Sequence, residues 1–181
     1  TSLLCYNKRV FPRAKQLRSV FLIGFLLTLA LALTGYLDSS FVATLVDVRK
    51  IGLLFSLGSC AAIAGLALLP RLLSRIKLSG VFHVTVLLYL GAILGMVNTA
   101  HPLLFQALFI IYLVSRIGIY FAIDLLLEHA ARHRGEGKVR GIYLSIYNLA
   151  YLLGPLIAGM LLRNNSFELV YLLAGFIVII M

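Results

Sequence analysis

Nineteen residues separate Arg18 from Asp38, twenty separate Lys50 from Arg71, and thirty-eight separate Lys77 from Arg116. Apart from histidine, none of them is acidic or basic. Gly141 to Leu162 and Leu169 to Met181 are two more such runs. A helix needs about 20 apolar residues to cross ~30 Å of hydrocarbon. The thirty-eight-residue run is therefore two helices. Asn98-Thr99-Ala100-His101-Pro102 supplies the turn between them, because proline cannot continue a helix and disfavours α at the residue before it. The spacing predicts an all-α membrane protein with spans at roughly 19–40, 51–70, 79–98, 102–124, 141–162 and 168 onward. A basic tail covers 1–18, and a polar loop covers 125–140. Phe41, Val42, Leu45 and Val46 could carry the first helix a turn past Asp38. Thr1 at one end and an apolar run at Met181 read as cut ends of a longer protein.

The chain is 62% apolar and 12% charged, and its mean hydropathy is +1.05. Those values exclude disorder and an ordinary soluble enzyme. Cys5 and Cys60 are too far apart and too differently placed to suggest a disulfide framework or a metal site, and both read as inert. The first run is too long for a signal-peptide core. No HExxH, GxSxG or phosphate-binding loop is present, and no carboxylates pair at mid-membrane, so the chain reads as neither an enzyme nor a self-contained ATP-driven pump. No catalytic residue, metal or cofactor is expected.

The net charge of +10 then reports sidedness rather than nucleic-acid binding. With the N-terminus in the cytoplasm, twelve basic residues fall on the inner side. They are Lys8, Arg9, Arg13, Lys15 and Arg18; Arg71, Arg75 and Lys77; and Arg132, Arg134, Lys138 and Arg140. Arg49, Lys50 and Arg163 fall outside. Both termini are then cytoplasmic, and the plasma (inner) membrane is the expected location. Three helices on either side of a short turn are also the count expected of an inverted repeat.

Polar residues inside the spans are the candidate site. Arg116 lies fourteen residues beyond Pro102, about 21 Å along the helix, where a cation costs about 2.5–3.5 kcal/mol. Tyr120, Asp124 and Glu128 follow at four-residue steps, and Gln106 shares the angle of Asp124. Such a face handles substrate, anion or proton, or it makes a structural ion pair near the inner interface. Snorkelling toward that interface would relieve part of the cost. Asp38 is either an outer gate or cation contact, or a solvated helix end. Asn148 and Ser145 are polar inside the fifth span, and Asn148 lines a cavity or glues helices by a hydrogen bond. Tyr143, Tyr147 and Tyr151 are a packing surface or an aromatic wall for a ligand. His83 and His101 sit near span ends, where an amphipathic ring is comfortable. Gly91 with Gly95, and Gly58 with Ala62 and Gly65, are expected to mark close helix contacts.

The fifth span carries Gly141, Ala150, Gly154-Pro155 and Ala158-Gly159. This resembles the fifth-helix motif of the major facilitator superfamily, G-x8-G-x3-G-P-x2-G-G. The spacing is complete, and alanine replaces glycine at 150 and 158. Lys138-Val139-Arg140 resembles the basic lead-in to that helix, Asp124 resembles the acid where the fourth helix leaves the membrane, and Arg116 resembles the fourth-helix arginine linked to proton coupling. Tyr120 stands where the family has glycine, with Gly118 nearby. Gly65, Arg71, Arg75 and Lys77 suit the outline of the segment between spans two and three, but no acid lies among them. Asp124 or Glu128 is expected to complete a cytoplasmic charge lock with Arg71, Arg75 or Arg140. The resemblance implies one half of a twelve-span carrier, moving a small solute by alternating access, with proton-coupled efflux as one form of it. Its partners would be the bilayer, the solute, protons, and a C-terminal six-helix half or a second copy. A non-transporting membrane subunit, sensor or scaffold is the competing reading.

Overall fold

The computed structural model describes residues 13–131, 136–162 and 166–180. Lys8, Arg9, Arg132, Arg134 and Arg163, which carry part of the charge bias, lie outside the described residues, as does Cys5. The elements are α1 (Arg13–Gly35), α2 (Asp38–Val42), α3 (Val48–Leu73), α4 (Leu78–Asn98), α5 (Pro102–Ala131), α6 (Glu136–Leu161) and α7 (Phe167–Ile180). The described residues contain no strand. Five helices are long and apolar enough to cross a membrane, and α7 is a shorter apolar helix. The chain is an integral, multi-pass, helical membrane protein.

Helix starts follow local chemistry. Pro102 opens α5, where its missing N–H is no loss. The Asp47 carboxylate caps α3 by accepting from the Arg49 N–H at 2.9 Å. Helix ends depart further from expectation. The helix α5 continues to Ala131 and α6 begins at Glu136, so most of the expected loop over 125–140 is helical. Hydropathy marks where hydrocarbon stops, whereas leucine, glutamate and alanine keep the backbone helical beyond it. The first span stops early, at Gly35. A turn closed by the Leu37 N–H on the Thr34 carbonyl at 2.9 Å leads into α2. From there Phe41, Val42 and Val46 fold back into the bundle as buried residues.

Packing is only partly sequential. The helix α1 packs chiefly on α6 and α7, and α5 packs chiefly on α4 and α3; α1 also meets α5, and α4 meets α7. Contacts set the directions. Gly24 faces Tyr143 and Ala32 faces Gly154, so α1 and α6 run parallel. Phe55 packs edge-on to Phe109 and Gly58 faces Leu113, so α3 and α5 run parallel too. Gly95 against Leu108 and Gly118 against Thr85 make α4 and α5 antiparallel. Small residues therefore do sit at close contacts, as expected in lipid. Of the pairs expected on α3 and α4, Gly91 departs, because an added Cβ there would meet nothing within 4 Å.

The fifth-span motif divides between two faces. Ala150, Gly154 and Ala158, one turn apart, are buried, and Gly154 lies against the backbone of Ala32 on α1. Gly141 and Gly159, eighteen residues apart and hence on one face, have open space around them. Half of the motif packs α6 onto α1, and the other half points away from the bundle.

Candidate functional site

Side chains from five helices gather in one cluster around a carboxylate. Asp38, the first residue of α2, is turned inward by the break at Gly35 and is 4% exposed. Its Oδ2 accepts from Arg116 Nη1 at 2.7 Å. Its Oδ1 accepts from the Tyr171 hydroxyl of α7 at 2.7 Å and from the Tyr112 hydroxyl of α5 at 3.0 Å. The Tyr112 oxygen also lies 2.7 Å from Thr34 Oγ1 on α1, which in turn lies 3.5 Å from the hydroxyl of Tyr89 on α4. Gly35 makes the geometry possible, because a Cβ there would collide with the Arg116 guanidinium.

Physical chemistry explains the crowding of donors. A carboxylate out of water is costly unless it is both paired and hydrogen-bonded. Here one cation and two phenols supply those contacts. An aromatic layer seals the cluster. Phe41 packs on Tyr171 at a centroid separation of 4.4 Å and edge-on to Phe105 at 5.3 Å. Tyr112 stacks between Tyr89 and Phe109. The arginine side chain keeps 17% exposure, so one flank of the pair faces outward.

That flank continues into a second group. The Tyr120 and Tyr151 hydroxyls are hydrogen-bonded at 2.7 Å, joining α5 to α6. Tyr147 packs on Tyr151 at 4.9 Å, and Tyr143 is buried against Gly24. Arg116 lies within electrostatic reach of Tyr120 and Tyr151. Farther along, Asp124 and Arg140 are 3.9 Å apart and largely exposed.

Several expectations change. Asp38 is not a solvated helix end: α1 breaks after Gly35, and the turn into α2 carries it inside. Arg116 does make an ion pair, but it reaches toward the end holding the α4–α5 turn rather than snorkelling toward the other. The buried carboxylate is the nearer and stronger partner. The charge lock is reduced to Asp124 with Arg140. Glu128 is exposed, and neither it nor Arg71 or Arg75 has an ion-pair partner within 4 Å among the described residues. Gln106 is half-buried and Asn148 exposed, and neither joins the cluster. Tyr112, Tyr171, Tyr89, Thr34 and Gly35 were not among the candidates. Tyr112 was accessible, since it extends the Arg116–Tyr120 stripe back by one turn. Tyr89 and Tyr171 join only through tertiary contact. Among the described residues no group of side chains is arranged to hold a metal.

Tyr171→Phe keeps the ring contact with Phe41 but removes a donor from a buried charge. The expected cost is about 1.5–3 kcal/mol, against about 0.5–1.5 kcal/mol for Tyr120→Phe, whose bond is neutral. Denaturant unfolding in detergent micelles measures both, and equal losses would take Tyr171 out of the charged cluster. Comparison of the chain with family models, curated proteins and solved structures finds no match.

Proposed function

We propose that the chain is the N-terminal six-helix half of a secondary transporter of the major facilitator type, moving a small solute by alternating access, with Arg116 and Asp38 as its coupling pair. The observation that carries this reading is a buried, multiply bonded ion pair inside a bundle of apolar helices, one of its partners lying within a span. Intramembrane charges are expensive and ordinarily serve a pathway or a proton relay. The neighbour pattern supports a three-plus-three repeat. Exchanging α1 with α5, α3 with α6 and α4 with α7 turns the α1–α6 contact into α5–α3, and α1–α7 into α5–α4. The exchanged helices run in opposite directions, as an inverted repeat requires. The basic bias supports cytoplasmic termini and a plasma-membrane location. The open face of α6 at Gly141 and Gly159 would receive the second half.

The test is flux of a panel of fluorescent organic solutes in vesicles holding the full-length protein under an imposed proton gradient. Arg116→Lys keeps the charge but shortens the reach to Asp38. A coupling contact worth about 1.4 kcal/mol or more would cut flux about tenfold. Gly159→Leu is expected to abolish flux while leaving the unfolding of this chain unchanged. Wild-type flux in both variants would demote Arg116 to a structural role and end this reading.

One observation favours the alternative, a non-transporting subunit, sensor or scaffold. Both carboxylate oxygens of Asp38 are satisfied within the chain, as a static brace requires. On that reading Arg116→Lys changes stability and no solute moves.

A further inference from the structure

The end of α3 that leads into α4 presents cations over aliphatic side chains. Leu68, Arg71, Leu72 and Arg75 recur at helical spacing, and the backbone stays helical through Ser74, with the Arg75 N–H bonded to the Leu72 carbonyl. Leu69, buried, lines a groove of about 550 Å³ on this face of α3 together with Gly65, Leu68, Leu72, Ser74 and the two arginines. Both arginines are exposed and make no ion pair with any described carboxylate, while Asp124, an acid on neighbouring α5, is engaged by Arg140. The helix terminus accounts for part of the preference for a cation at Arg71, the last-turn residue, but not for an apolar groove beneath it.

We propose that this groove binds an anionic phospholipid, with Arg71 and Arg75 on the phosphate and an acyl chain along Leu68, Leu69 and Leu72. The shape follows from the bilayer. A helix crossing it leaves its last turn at headgroup level, where an arginine can hold a phosphate by paired N–H donors and the turn below meets hydrocarbon. Phosphate alone would use the arginines but leave the leucine-lined groove idle, and a neutral lipid would do the reverse. Only an amphiphile with a negative head uses both. The site rests on α3 spanning the membrane and not on the transport reading.

The full chain, purified in mild detergent and stripped of lipid, is titrated with phosphatidylglycerol, phosphatidylcholine or inorganic phosphate while thermal unfolding is followed. Phosphatidylglycerol is expected to raise Tm, and the other two are not. The paired substitution Arg71→Gln with Arg75→Gln should weaken the phosphatidylglycerol response about thirtyfold, each arginine contributing about fivefold. Arg49→Gln with Lys50→Gln, at the other membrane end, should leave it intact. Wild-type chain in vesicles containing phosphatidylglycerol with a photoreactive acyl chain should cross-link within 65–75, which requires no variant to fold. An unchanged response in the arginine variant, an equal response to phosphatidylcholine or to phosphate, or cross-links only elsewhere would overturn the site.

Discussion

Arg116→Leu is expected to destabilise the fold by about 3–5 kcal/mol, the usual cost of leaving a buried charge without its partner. Asp38, nearly fully buried, would keep its two phenol donors but lose its counter-charge. Asp38→Asn should cost less, about 1–3 kcal/mol. An amide oxygen still accepts from Tyr112 and Tyr171, and Arg116 retains a partly exposed flank. The double substitution should recover most of the larger loss, because it removes both charges together. The coupling between two residues in one network is commonly about 0.5–3 kcal/mol, and the upper end is expected here. The chain has no tryptophan, so far-ultraviolet circular dichroism or tyrosine emission during denaturant unfolding in micelles is the suitable readout. Strictly additive losses would show that the pair carries no mutual energy and would remove the central claim about the site.

The second large effect lies at the seam between α1 and α6 and removes no charge. Gly154→Leu should cost at least the upper part of the range for overpacking, about 1–3 kcal/mol. A Cβ at this position would stand 2.7 Å from the Ala32 Cβ and 2.9 Å from the Ala32 carbonyl carbon. Backbone cannot swing aside as a side chain can, so α1 and α6 would have to separate. Gly141→Ala and Gly159→Ala meet nothing within 4 Å and should change stability by no more than about 1 kcal/mol. The same unfolding series measures all three. If Gly154→Leu matched the other two, the tight α1–α6 seam would be wrong.

The spans were legible because the bilayer imposes one strong requirement, an uninterrupted apolar length, and that requirement leaves its mark residue by residue. Leu78–Asn98 and the start at Pro102 fall where the pattern places them. Arg116 was legible for the same reason, since a cation fourteen residues into a span stands out against its surroundings. Its partner was not. Asp38 lies at the end of an apolar run, where a carboxylate usually meets water, and nothing local reveals that α1 breaks at Gly35. The break owes its sense to what it delivers, a carboxylate placed among side chains from α4, α5 and α7. The glycines show the same division. The fifth-span spacing marks small residues, but only the position of α1 distinguishes Gly154, pressed on Ala32, from Gly159, which is open.

From the amino-acid order alone come the membrane class, the number of apolar helices, the charge asymmetry of their ends and the presence of an out-of-place cation. Each depends on how a residue meets solvent or lipid, a property it carries wherever the chain goes. The pairing of Arg116 with Asp38, the gathering of Tyr89, Tyr112 and Tyr171 around them, and the bare arginines above the groove of α3 were decided by the fold. These depend on distances between residues as many as 133 positions apart, which exist only once helices non-adjacent in sequence have packed.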